Sequence, residues 1–68
     1  MKVKVFIQRL RETRVVDLEE NSRIEDLLKT LRISSSEVIP VKKGVIVTEK
    51  EPLKEGDEVK LLSVVSGG

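Results

Sequence analysis

The sequence predicts an α+β domain in which one helix packs across one face of a sheet of four to five strands. Three observations predict it. Short runs rich in Val and Ile recur along the chain, one stretch near the middle has helical apolar spacing, and the elements follow the order strand, strand, helix, strand, strand, strand. The core-forming residues are almost all Val, Ile and Leu, with one Phe, one Met and no Trp, Tyr or Ala, a β-branched excess that favours sheet over a helical bundle. A single helix cannot cover both faces of a sheet, so the other face is left to solvent or to partners. At 68 residues there is room for one domain, with a small core.

Lys2 to Gln8 alternates, with Val3, Val5 and Ile7 on one face, and reads as a half-buried strand. Arg11-Glu12-Thr13 reads as a polar turn and Val15 to Leu18 as the second strand of a hairpin, with no glycine to fix the turn type. Ser22-Arg23-Ile24-Glu25 has the S-x-x-E form of a capping box, in which Ser22 caps and Glu25 reaches back. Behind it Ile24, Leu27, Leu28 and Leu31 make one apolar stripe of a helix of about ten residues. Glu25 and Asp26 in the first turn, with Lys29 and Arg32 near the end, suit the helix dipole. The serines at 34 to 36 end the helix.

Glu37 to Val41 is a short extended segment whose Pro40 has no donor for a ladder, which predicts an edge position or an outward one. Lys43-Gly44 turns the chain into Val45 to Thr48. A charged connection leads to Pro52-Leu53, and Lys54-Glu55-Gly56-Asp57 turns it again into the last strand, Val59 to Val65. If Val59 and Leu61 face the helix with Val3, Val5 and Ile7, then period two puts Phe6, Lys60, Leu62 and Val64 on the far face. Residues 1–65 form the predicted domain, and Ser66-Gly67-Gly68 a flexible tail.

Composition excludes several chemistries. Without Cys there is no disulfide, thiolate metal site or cysteine nucleophile, and without His the usual neutral-pH base is missing. The carboxylates Glu19, Glu20, Glu25, Asp26, Asp57 and Glu58 match no metal-loop spacing, and no catalytic or metal-ligating residue is assigned. Thirteen basic and twelve acidic residues give a net charge of +1, and no aromatic platform exists for stacking bases, so a nucleic-acid partner is not expected. Lys2, Lys4, Arg9, Arg11 and Arg14 read as a solvated surface. No stretch approaches the ~20 apolar residues of a membrane span and no signal segment opens the chain, so a cytoplasmic location is expected. A charged fraction of 37 % with one Asn and one Gln fits a protein from a hot environment.

The chain closes on Gly67-Gly68 directly after an aliphatic strand. Glycine has no Cβ, so such an end can enter a narrow channel in any backbone conformation, and its carboxylate is sterically open. The expectation is that this terminus is the working part.

The order of elements, the turn Lys54-Glu55-Gly56-Asp57-Glu58-Val59 and the end Ser63-Val64-Val65-Ser66-Gly67-Gly68 resemble the ubiquitin-like β-grasp sulfur carriers, the ThiS and MoaD families and the small archaeal modifier proteins. One departure is Lys42-Lys43-Gly44, where many ThiS-like chains carry Asn-Gly. The resemblance implies a mixed sheet with the first and last strands adjacent. It implies that Phe6, Leu62 and Val64 form the face that docks on an adenylating enzyme, while Ser66, Gly67 and Gly68 enter that enzyme's channel. The chain itself would bind no cofactor. The partner would use ATP and magnesium to adenylate the Gly68 carboxylate, and a partner persulfide or thiolate would displace AMP to leave a thiocarboxylate or thioester. That sulfur would pass to a synthase or sulfurtransferase in thiamin, molybdopterin or tRNA thiolation chemistry. The alternatives are a modifier joined through Gly68 to lysines of target proteins, and a non-covalent interaction domain.

Overall fold

A computed structural model describes residues 1–64 of the chain. Strand β1 (Lys2–Ile7) alternates as period two requires: Val3, Val5 and Ile7 are buried while Lys2 and Lys4 are exposed. A single 3-10 turn (Gln8–Leu10) follows, and Arg11 takes the left-handed conformation with φ 50°, its N–H closing on the Gln8 carbonyl at 3.0 Å. The reversal therefore comes before the expected Arg11–Thr13 turn, and strand β2 (Glu12–Asp17) starts earlier than Val15. An arginine supplies the positive φ that a glycine would have advertised in the sequence.

Helix α1 (Ile24–Leu31) is eight residues long rather than ten, with Ile24, Leu27 and Leu28 buried and Leu31 half-buried. Its cap sits one residue later than the S-x-x-E pattern places it. The Arg23 N–H donates to the Asp26 carboxylate at 2.8 Å, whereas the Ser22 hydroxyl donates backwards to the Glu19 carbonyl at 2.7 Å. The tertiary structure explains the shift. Arg23 makes a β-bridge with Pro52, and the N–H groups of Ile24 and Glu25 donate to the Glu51 and Glu49 carbonyls at 3.0 and 2.9 Å. The loop thus satisfies first-turn donors that a Ser22 cap would otherwise serve. The adjacent acids Glu25 and Asp26 leave the register of a capping box open by one residue. At the other end Arg32 adopts φ 59°, and the N–H groups of Arg32 and Ile33 return to the carbonyls of Lys29 and Leu28. This is a Schellman closure without glycine, with buried Ile33 and Leu28 as its apolar pair.

Three strands complete the sheet: β3 (Val38–Lys42), β4 (Val45–Ile46) and β5 (Glu58–Ser63). The order is β2-β1-β5-β3-β4, with β1 and β5 parallel and every other neighbour antiparallel, so the sheet is mixed and the first and last strands lie side by side at its centre. β3 is not an edge strand, so of the edge and outward positions expected for Pro40 the outward one is met by Pro40. Its carbonyl accepts from Val47 on the β4 side. The donor that proline lacks falls on that same side, where β4 has already ended after two paired residues, so no β3–β5 bond is lost. Lys43 (φ 54°) and Gly44 (φ 77°) form the two-residue β3–β4 turn, both in the left-handed region that a type I′ hairpin demands.

The core lies between α1 and one face of the sheet. Val3, Val5, Ile7, Val59 and Leu61 meet Ile24, Leu27 and Leu28, with Val16, Leu18, Ile33, Val38 and Leu53 closing the sides.

Candidate docking face and the clamp behind it

The face of the sheet turned away from α1 is set by register. Phe6 lies between Thr13 on β2 and Lys60 on β5, Lys60 faces Val41 on β3, and Val41 faces Ile46 on β4. One step along the strands, Leu62 lies opposite Ile39. Phe6 and Leu62 are half-buried, Val64 is 48 % exposed and Ile46 is 70 % exposed. The structure therefore brings Phe6 and Leu62 onto one surface with Val64 at its end, and adds Ile39, Val41 and Ile46, which sequence reasoning left out. In Val38–Lys42 nearly every residue is apolar, so alternation could not say which of them face outward.

This face leads to the tail. The Ser63 N–H donates to the Gln8 side-chain oxygen at 2.8 Å, and the Val64 N–H donates to the Glu37 carbonyl at 3.0 Å. β5 is thus held from both sides up to the last described residue. Ser66, Gly67 and Gly68, together with Val65, lie outside the described residues.

Behind the start of β5 sits a polar clamp. The Lys42 ammonium lies 3.2 Å from the Asp57 carboxylate and 3.1 Å from that of Glu51, and donates to the Pro52 carbonyl at 3.0 Å. Asp57 also accepts the Lys54 N–H at 2.8 Å, while Gly56 (φ 81°) provides the turn and donates its N–H to the Lys2 carbonyl at 2.8 Å. This gives the Gly-Asp pair a physical role. The glycine makes the turn, and the aspartate ties it to the end of β3. Burial alone would lower the Lys42 pKa, but hydrogen bonds to Glu51 and Asp57 and their charges outweigh it and raise the value. Burial alone would raise that of Asp57, but the Lys54 N–H and the Lys42 ammonium outweigh it and hold the carboxyl below its ordinary range. Lys42 is therefore a structural lysine.

Over this face, the turns at Gly44 and Gly56 border a shallow concavity of about 530 Å³ whose lining includes Lys4, Phe6, Lys43, Lys60 and the carboxylates Asp57 and Glu58. Among the described residues no cluster of three metal-ligating side chains occurs, and no helix is long and apolar enough to cross a membrane. Arg9 and Arg14 of the basic N-terminal group pair with Glu37 and Glu12.

A model of the ThiS family matches residues 3–68. Among solved structures, the chain is similar to a Pyrococcus furiosus protein described as a candidate molybdopterin converting factor subunit 1, with TM-score 0.78, 25 % identity, and 94 % of this chain and 98 % of that one covered. It is similar to SAMP1 of Haloferax volcanii, with TM-score 0.77, 19 % identity and full coverage of both chains. It is also similar to the thiamine biosynthesis protein ThiS of Geobacter metallireducens, with TM-score 0.70, 23 % identity and full coverage of both.

Proposed function

The chain belongs to the ThiS family and has the ubiquitin-like β-grasp fold of the sulfur carriers and modifiers, and on that premise we propose that it carries sulfur on the carboxyl group of Gly68. A carboxylate is a poor acyl donor because its leaving group would be oxide. An adenylating enzyme, using ATP and magnesium, joins the Gly68 carboxylate to AMP with loss of pyrophosphate. A partner persulfide then displaces AMP to give an acyl disulfide. A second partner thiol attacks the partner-side sulfur of that disulfide, which releases the thiocarboxylate and leaves a disulfide on the partner; a synthase or sulfurtransferase consumes the thiocarboxylate.

In this reading the chain supplies no acid, base or metal. It supplies a grip and a small end. The grip is the face of Phe6, Leu62 and Val64, extended by Ile39 and Val41. The end is Ser66-Gly67-Gly68, whose two glycines pass where a side chain would not. The observation that carries the reading is the family match running through Gly67 and Gly68, on a domain whose last described strand is held from both sides as it leaves the sheet.

Intact-mass spectrometry of the protein purified from its own cells tests it. The expected result is a fraction heavier by the exchange of one oxygen for one sulfur, assigned to Gly68 by fragmentation and absent from Gly67→Val. If that fraction is missing and lysines of other proteins carry the Leu61-to-Gly68 branch that tryptic cleavage after Lys60 leaves, the chain is a modifier instead.

A further inference from the structure

We infer that the docking face selects a partner with an acidic protrusion, one Asp or Glu side chain of which seats in the concavity between Lys4, Lys43 and Lys60. The inference rests on the docking reading above and concerns the chemistry of the surface that docks.

Lys60 occupies the middle of the outward row, with Phe6 on one side and Val41 on the other, and Leu62 two residues along the same strand. Lys4 lies one step back on β1, and Lys43 stands at the β3–β4 turn; all three are exposed and line the same concavity. None of the three forms an ion pair among the described residues. The acids nearby are Glu58, which is the register neighbour of Lys4, and Asp57, which is already committed to Lys42 and the Lys54 N–H. Both carboxylates line the concavity with the three lysines, and Asp57, close enough to Lys43 to feel its charge, is already neutralised by Lys42, which leaves the concavity positive on balance.

A wholly apolar partner laid over this row would strip water from the Lys60 ammonium and return nothing, a cost that removes much of the gain from covering Phe6 and Leu62. An acidic side chain at that point turns the cost into a charge-assisted contact and speeds encounter by steering. A nucleic acid fits less well. The lysines adjoin an apolar row with no stacking aromatic beyond Phe6, and the net charge of the chain is only +1.

The test measures association of the full-length protein with its cognate adenylating enzyme by stopped flow, at low and high salt. Lys60→Glu is expected to slow association about 10-fold or more at low salt, with the difference shrinking in roughly 0.5 M salt. Lys29→Glu, the same charge change on exposed α1, is expected to leave the rate within about twofold. A Glu→Lys or Asp→Lys substitution in the enzyme that restores binding to Lys60→Glu identifies the protrusion. Equal rates for Lys60→Glu and Lys29→Glu overturn the inference. If Leu62→Glu still abolishes binding in that case, the docking face stands without its charge preference; if Leu62→Glu binds normally, the docking face falls as well. Salt-dependent binding of a single-stranded RNA through these lysines, with enzyme association unchanged, also overturns it.

Discussion

Asp57→Asn is the sharpest test of what holds the start of β5. Asparagine keeps an oxygen for the Lys54 N–H but gives up the ion pair with Lys42 at 3.2 Å, and Lys42 retains only Glu51 at 3.1 Å and the Pro52 carbonyl. Hydrogen bonds to charged groups are worth about 1.5–3 kcal/mol net. Both side chains are only about a tenth exposed, but Lys42 keeps Glu51 and the Pro52 carbonyl and is not left as an unpaired buried charge, so a loss of about 1–2 kcal/mol is expected rather than the larger penalty of a pair stripped bare. For a domain of this size that lowers Tm by roughly 5–15 °C.

The pH dependence fixes the cause. Asp57 has its folded pKa depressed below the ordinary 3.8, so its contribution is present above that value and is lost as pH falls through the folded pKa. Lys42 has its pKa raised above 10.5, so its contribution is complete below 10.5 and is lost as pH rises through the folded value. Thermal unfolding followed by circular dichroism should show the variant and the parent furthest apart near neutral pH, converging at the acid end. A Tm difference that persists undiminished below the depressed pKa, or no difference at neutral pH, refutes the assignment of the stabilisation to charge.

Two further stability tests follow from the backbone and the core. Arg32→Gly relieves a left-handed arginine worth about 1–2 kcal/mol and concedes about 0.5–1 kcal/mol of glycine entropy, so a rise in the urea midpoint equivalent to about 0.5–1 kcal/mol is expected; a fall would mean that the Arg32 side chain contributes more than its backbone costs. Leu27→Ala at a fully buried position should cost about 3 kcal/mol, which is most of the stability a core this small supplies, and a variant that melts within a few degrees of the parent would contradict the packing described.

Where one residue type in one position has one physical use, the sequence was readable. The alternation of Val3, Val5 and Ile7 placed Phe6 outward, and the spacing of Ile24, Leu27 and Leu28 placed the helix on the sheet. Gly56 before Asp57 located the last turn. Legibility failed where a residue did a job usually given to another type. Arg11 and Arg32 sit at positive φ without announcing it, so the first hairpin turn came early and the helix ended sooner than expected. It failed again where a long-range contact replaced a local one. Carbonyls of the 49–51 loop take the donors that Ser22 would have capped, and the two-residue β4 leaves Pro40 unpenalised inside the sheet. The outward apolar face was half legible: the placement of Phe6, Leu62 and Val64 follows from period two, whereas Ile39 and Val41 lie in a run apolar on both sides. Lys42 was hidden because nothing local ties it to Asp57, fifteen positions away.

The parallel pairing of β1 with β5 also governs how the molecule answers force. Both strands run the same way, so tension between the beginning of one and the far end of the other slides them past each other. The intervening bonds must then yield together rather than peel one at a time. A motor that seizes whatever follows Ser63 meets that resistance on the β1 flank and a second one from β3, so this polypeptide should be a stubborn substrate for extraction from its carboxyl side.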